Sequence, residues 1–205
     1  VPVPIQQHKL WPENRLEIIL SKQDGTIFTL HEQRQFFTDF IKVASDEARH
    51  FTYLVERLNA LGADYGDLPC HQGLWDSALD TKDSLMARLA IVHMVFLLVA
   101  FSNLGTEARG LDVNPQTIEK FRRAGDLESV DKLEQIHQDE VTHVATGQRW
   151  FAWCCSVMNI DRYQTFHGYV KKHFWGYLKP PFNENDRDRA GLDPQYYKPL
   201  TEEGL

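Results

Sequence analysis

FFTDFIKVASDEARHF, residues 36–51, decides the fold. Phe36, Phe40 and Val43 recur at helical spacing, and Phe51, Leu54 and Leu58 continue the row, giving the apolar stripe of an amphipathic helix. Thr29-x-x-Glu32 matches a capping box, so the pattern predicts a helix from about Thr29 to about Leu58. At about 100° per residue, Glu47 falls within roughly 40° of that stripe, which predicts a carboxylate pointing inward. His50, three residues on, lies at the stripe's edge on the same face.

The same arrangement returns in DEVTHVATGQRWF, residues 139–151. Glu140 is in line with Leu133, Ile136, Val144, Gly147 and Phe151, and His143 again follows three residues later. Two acids and two imidazoles on apolar stripes require partners, because an unpaired buried charge costs several kcal/mol (roughly) and otherwise neutralises. A divalent cation is one such partner. Glu-x-x-His on two helices, with a Glu from each of two others, is the arrangement of di-iron and di-manganese carboxylate bundles. The alternative is two self-satisfied polar clusters, each His bonded to a neighbouring carboxylate or carbonyl. One Glu-x-x-His is a weak signal; two, 93 residues apart and each on an apolar stripe, are a stronger one.

The remaining carboxylates are less well specified. Glu107 is the candidate from the helix between the two motifs, in line with Leu89, Phe96, Ala100 and Asn103; a surface or helix-terminal charge is the alternative. Glu17 is the best available from a first helix. Asp46 and Asp139 precede the two Glu residues and could accept the second N–H of a metal-bound His, or be solvated charges. Arg49 could pair with a carboxylate or be exposed, and His137 reads as a core histidine. Cys70, His71 and Trp75 fall in a loop, while Trp150, Phe151 and Trp153 read as core.

Along the chain, residues 1–35 are an atypical segment, either a short helix after Pro12 or a hairpin about Asp24-Gly25. A loop from Gly62 to Gly73 follows the first clear helix. Then come a long helix from about Asp80 to Arg109, a short one from Asn114-Pro115 to Ala124, and one from Asp126 to about Met158. An aromatic-rich helix near Asp161–Leu178 ends before Pro180-Pro181, and the tail to Leu205 reads as irregular. The expectation is an all-α fold over residues 36–205, a ferritin-like antiparallel four-helix bundle with an additional C-terminal helix and an irregular tail.

Composition narrows the function classes. The 205 residues carry a net charge of -7, which argues against a broad nucleic-acid footprint. Nine His against three Cys favour nitrogen and oxygen ligands. Cys70, Cys154 and Cys155 make no disulfide framework, which suits a reducing interior. The first residues do not read as a signal peptide, and the apolar run Leu89–Phe101 has 13 residues, too few to span a bilayer. A cytoplasmic protein without membrane or nucleic-acid partners is expected; the oligomeric state stays open.

The chain resembles the DUF455 family of ferritin-like proteins, through FFTDFIKVASDEARHF (36–51), YGDLPCHQGLW (65–75), EARGLDVNPQTIEKFRRAGD (107–126), DEVTHVATGQRWF (139–151), LKPPFN (178–183) and AGLDP (190–194). The resemblance implies a ferritin-like bundle with metal ligands at Glu47, His50, Glu107, Glu140 and His143. In two places the chain departs from the family. The family's first helix carries a His-Glu-rich stretch that residues 1–35 do not reproduce, and about 11 extra apolar residues near Val95–Gly105 would carry Glu107 about three turns along its helix. The expected activity is that of a di-iron, or iron–manganese, oxidoreductase using two metal ions and dioxygen on a small molecule. Metal handling of the ferroxidase kind and a non-catalytic bundle with an incomplete site are the alternatives.

Overall fold

The computed structural model describes residues 29–67, 69, 72–96, 110–174 and 177–201. These residues form helices joined by turns, with no strand among them, so the all-α expectation holds.

Helix α1 spans Leu30–Ala60 and starts where the capping box places it. Thr29 Oγ1 accepts from the Glu32 amide at 3.2 Å, and the Thr29 amide donates to Glu32 Oε2 at 2.8 Å. The boundary drawn at residue 35 therefore lies inside a continuous helix; residues 1–28, with Glu17, fall outside the described residues. Helix α2, Gly73–Asp80, fills the stretch between the expected loop and the expected long helix. That long helix begins instead at Leu85, after a turn over residues 81–83, because Ser84 Oγ caps it by accepting from the Ala87 amide. Its first turn, α3 (Leu85–Arg88), runs into a π-helix over Leu89–Phe96. Residues 97–109, with Glu107, fall outside the described residues.

Helix α4 spans Gly110–Arg123 and begins before Asn114-Pro115, so that Pro115 lies inside it. A proline there leaves the carbonyl four residues earlier without its amide partner. That carbonyl, of Leu111, accepts instead from Asn183 Nδ2 at 3.1 Å, which is how the helix tolerates the proline. Gly125, at φ +79°, then closes α4: the Asp126 amide returns to Phe121 O and the Gly125 amide to Arg122 O.

Helix α5 spans Leu127–Val157 and, like α1, has 31 residues. The two are antiparallel: Trp153 bonds Glu32, Trp150 bonds Asp39, His143 contacts Asp46, His50 contacts Asp139, and Arg57 bonds Asp126. Asp126 has two tasks, accepting from Ser129 as N-cap and holding Arg57 Nη2 at 2.8 Å. Hydrogen bonds from Ser129, followed by that from Arg57, lower its pKa to about 2 from 3.8. A depressed carboxyl contributes stability above its unfolded pKa and loses it as pH falls through the folded value. Asp126→Ala should therefore lower the melting temperature at pH 6, with the gap to wild type closing between about pH 4 and about pH 2. Thermal melts across that range check this, and a gap independent of pH would sink it.

Helix α6 spans Arg162–His173, ending earlier than expected because Phe174 turns to an extended backbone. The tail expected to be irregular is helical: α7 (Glu184–Arg189), α8 (Pro194–Tyr197) and a 3₁₀ turn over Lys198–Leu200. It is also part of the interior, with Leu192, Tyr196, Tyr197 and Leu200 buried beside Phe166 and Val170 of α6. The core continues through the π-helix residues Leu89, Ala90, Ile91, Met94 and Val95 to Val144 and Phe151 of α5. Trp150, Phe151 and Trp153 pack as core aromatics. No described helix is long and apolar enough to cross a membrane.

Candidate metal centre

DEARH (46–50) on α1 faces DEVTH (139–143) on α5 about the middle of both helices. Because the helices are antiparallel, each motif meets the other reversed, and the contacts come in crossed pairs. His143 Nε2 lies 3.2 Å from Asp46 Oδ2, and His50 Nε2 lies 3.0 Å from Asp139 Oδ2. Each aspartate thus serves the imidazole of the opposite helix, not the one that follows it in sequence. Arg49 ties the two together, with Nη2 at 2.8 Å from Asp46 Oδ1 and 2.7 Å from Asp139 Oδ2.

With Nε2–H donated to an aspartate, a neutral imidazole keeps its lone pair on Nδ1. Both Nδ1 atoms face the glutamates. Glu47 straddles the pair, Oε2 being 3.5 Å from His50 Nδ1 and Oε1 3.2 Å from His143 Nδ1. Glu140 does the same, with Oε1 3.7 Å from His50 Nδ1 and Oε2 3.5 Å from His143 Nδ1. The rings themselves are 5.6 Å apart between centroids. Each carboxylate therefore offers one oxygen toward each imidazole.

Three of these atoms, His50 Nδ1, His143 Nδ1 and Glu140 Oε2, are buried without a hydrogen-bond partner among the described residues. Orphaned buried polar atoms are uncommon and call for an explanation such as an ion. Ligand atoms of Glu47, His50 and Glu140 lie within 4.8 Å of one another. The donor set of carboxylates and imidazoles is one that could hold a divalent metal ion.

Electrostatics agree with this geometry. Burial works against charging His143 and is the largest single influence on it, but Glu140, Glu47 and Asp46 outweigh it and raise its pKa to about 10. Burial likewise opposes the charge on Asp46, yet Lys42, His143 and Arg49 bring its pKa down to about 2. Glu47 is lowered too, its covered part opposing the charge while His143 and His50 favour it.

The expected inward direction of Glu47 needs correction. Its side chain is 47% exposed, whereas those of Glu140 and His143 are 13% and 1% exposed. Farther along the same stripe, Phe51 and Leu54 are exposed as well. Among the described residues, the stripe of α1 is best covered along its N-terminal half, where Phe36 and Phe40 pack against Trp150 and His93. Glu47 sits at the edge of that cover, so helical phase alone misplaces it.

Of the residues singled out in the sequence, Glu47, His50, Glu140 and His143 come together, while Glu107 and Glu17 lie outside the described residues. His137 is a core histidine, buried with Nε2 2.9 Å from Asp186 Oδ2. Trp75 is exposed, and Cys70 and His71 are outside the described residues. Cys154 and Cys155 are free and buried, and burial pushes their thiols up to about 12 and about 11, so neither is a reactive thiolate. The sequence reading missed His93, whose ring packs on Phe40 and whose pKa is brought down to about 4 by burial, then by Arg88 and His143. The available signal was a lone histidine within an apolar run.

Comparison with known proteins yields one family model, described as "Protein of unknown function (DUF455)", matching residues 26–198. An uncharacterised protein of Haemophilus influenzae is 33% identical over 163 residues, which cover 80% of this chain and 53% of that protein. The chain therefore spans about half the length of the curated relative it matches. No solved structure matches.

Proposed function

The chain belongs to the DUF455 family, and from that premise we propose that it is a ferritin-like, two-metal carboxylate oxidoreductase acting on a small molecule with dioxygen. The observation that carries this reading is the double straddle: Glu47 and Glu140 each turn one oxygen toward His50 Nδ1 and the other toward His143 Nδ1. A self-satisfied polar cluster accounts for it less well, because three of the facing atoms are buried without hydrogen-bond partners among the described residues.

In this reading His50, His143, Glu47 and Glu140 would hold the ions. A pair of iron ions, or one iron and one manganese, supplies redox chemistry toward dioxygen when bound there. The protein's own part is to present the ligands in the right form. Asp46 and Asp139 fix the ring orientation and keep the lone pairs on Nδ1. Arg49 offsets the charge of both aspartates, so that the negative field is concentrated on the glutamates. Among the described residues, the half-exposed Glu47 lies on the open side of the centre, while α5 closes the other side with Glu140 and His143. That open side also favours a second reading, ferroxidase-like metal handling, in which ions pass in and out past Glu47.

The test is anaerobic loading of purified protein with Fe(II), removal of loose metal, elemental analysis, and then an oxygen-electrode trace on admitting air. About two ions retained per chain and prompt dioxygen uptake are expected. Protein that retains neither iron nor manganese would end the proposal. Iron oxidised to a mineral in excess of two per chain would select the metal-handling reading.

A further inference from the structure

Helix α1 carries a second apolar row beside the stripe that packs on α5. At about 100° per residue, Phe37, Ile41, Ala44, Ala48, Phe51 and Val55 fall within roughly 40° of one line. No charged residue stands on that line between Phe37 and Val55, although a helix face turned to water ordinarily carries charged or polar groups. Among the described residues the row is left open. Phe37, Ile41, Ala44, Ala48 and Phe51 are exposed, Ile41 to 68%, and Val55 is half-buried. Tyr65, also exposed, sets its ring 5.2 Å from that of Phe51 and widens the patch at one end. Contiguous exposed apolar surface of this kind marks a contact with another molecule.

The spacing says what kind of surface fits. Steps of 4, 3, 4, 3 and 4 residues are the repeat of a helix that packs its knobs into the holes of a second helix. The row is about 27 Å long at 1.5 Å per residue, with bulky residues toward both ends and two alanines at the middle. Its spacing also reads the same in both directions about position 46. An antiparallel copy related by a two-fold axis there sets Phe37 against Val55, Ile41 against Phe51 and Ala44 against Ala48. The facing alanines let the two backbones approach closely at the crossing. Along one flank stand Thr38, Ser45 and Thr52, not charges. The Thr38 and Thr52 hydroxyls donate to the carbonyls of Arg34 and Ala48, each at 2.9 Å, so covering the flank would strand neither.

We propose that this row is the interface of a homodimer, in which α1 of one chain packs antiparallel against α1 of a second copy. A two-fold contact needs one patch that is complementary to itself, and the symmetric spacing supplies it. None of the six residues is a candidate metal ligand, so the pairing holds whether or not the two-metal reading does.

Sedimentation equilibrium of the full chain, from low to high micromolar concentration, should give twice the 23.8 kDa of one chain. Ile41→Glu should give the mass of one chain over the same range, with the circular dichroism of wild type, since Ile41 is already exposed within the chain. Charges at the crossing read the orientation. Ala44→Glu with Ala48→Glu should dissociate the pair, whereas Ala44→Glu with Ala48→Lys, which sets opposite charges across the axis, should keep it. If both double variants dissociate, the copies do not pair antiparallel about position 46 and the proposal falls. A dimer that survives Ile41→Glu and the double Glu variant unchanged also overturns it, placing the interface on another face. A wild type that stays a single chain overturns it outright, and an Ile41→Glu protein that then melts lower than wild type would show the row covered by the chain's own residues.

Discussion

Glu140→Gln should fold normally yet hold divalent metal more than about 100-fold more weakly than wild type, losing both ions together. The size follows from the position of the carboxylate. Loss of an outer partner of a metal ligand costs roughly 10- to 100-fold in affinity, and Glu140 is closer in, with an oxygen 3.7 Å from His50 Nδ1 and another 3.5 Å from His143 Nδ1. An amide of the same shape removes the negative charge that both ions would share. The metal-free fold should survive, because His143 keeps Asp46 and Glu47 when its contact with the Glu140 carboxylate is lost. Asp46→Asn and Asp139→Asn set the scale, falling within the 10- to 100-fold range (roughly) expected of orienting residues. Isothermal titration with Mn(II) on the three variants reads all of this. A Glu140→Gln protein that binds as tightly as Asp46→Asn would show that the carboxylate does not bridge.

The largest expected effect on stability lies away from the centre, at Arg187→Met. Arg187 is fully buried and forks onto Asp112, Nε to Oδ1 at 3.0 Å and Nη2 to Oδ2 at 2.7 Å. Its guanidinium is held between the rings of Phe182 and Tyr197, at 4.5 and 4.4 Å. Removing it leaves the buried Asp112 carboxylate, among the described residues, with only the Asn183 amide, 2.8 Å away. Stranding one member of a buried pair costs about 3–5 kcal/mol, against a total stability of about 5–15 kcal/mol for a domain. Replacing both, Asp112→Leu with Arg187→Met, should recover most of that, since a buried pair is often no better than apolar residues of similar volume. Urea midpoints of the single and double variants decide it. A single variant within about 1 kcal/mol of wild type would mean that the pair is not the clasp joining α7 to α4. If it is the clasp, proteolysis of Arg187→Met should first release the segment from α7 onward, before α1 or α5 is cut.

What the sequence disclosed was local. Thr29 with Glu32, Asp126 and Asp161 each mark a helix start, because a cap is a contact between residues two or three apart. The two Glu-x-x-His pairs were legible for the same reason, since three residues along a helix is one turn on one face. Pro115 was misread as a start because its rescue comes from Asn183, far along the chain. The tail was misread because its proline and charged residues suggest a loop, while its order comes from Asp112 below it and from Tyr196 and Tyr197 entering the core.

The sequence by itself determined that α1 and α5 are helices, and which face of each carries an acid and an imidazole, because those properties follow from residue spacing along one chain. Only the tertiary structure decided that the helices run antiparallel in the register that sets DEARH against DEVTH. From that register come the crossing of Asp46 to His143 and Asp139 to His50, the approach of His93 across Gly147, and the half-open position of Glu47. The reason is physical. Periodicity reports the angle of a side chain about its own axis, whereas burial and ligand geometry depend on what stands opposite, and that is set by side-chain packing between segments distant in sequence.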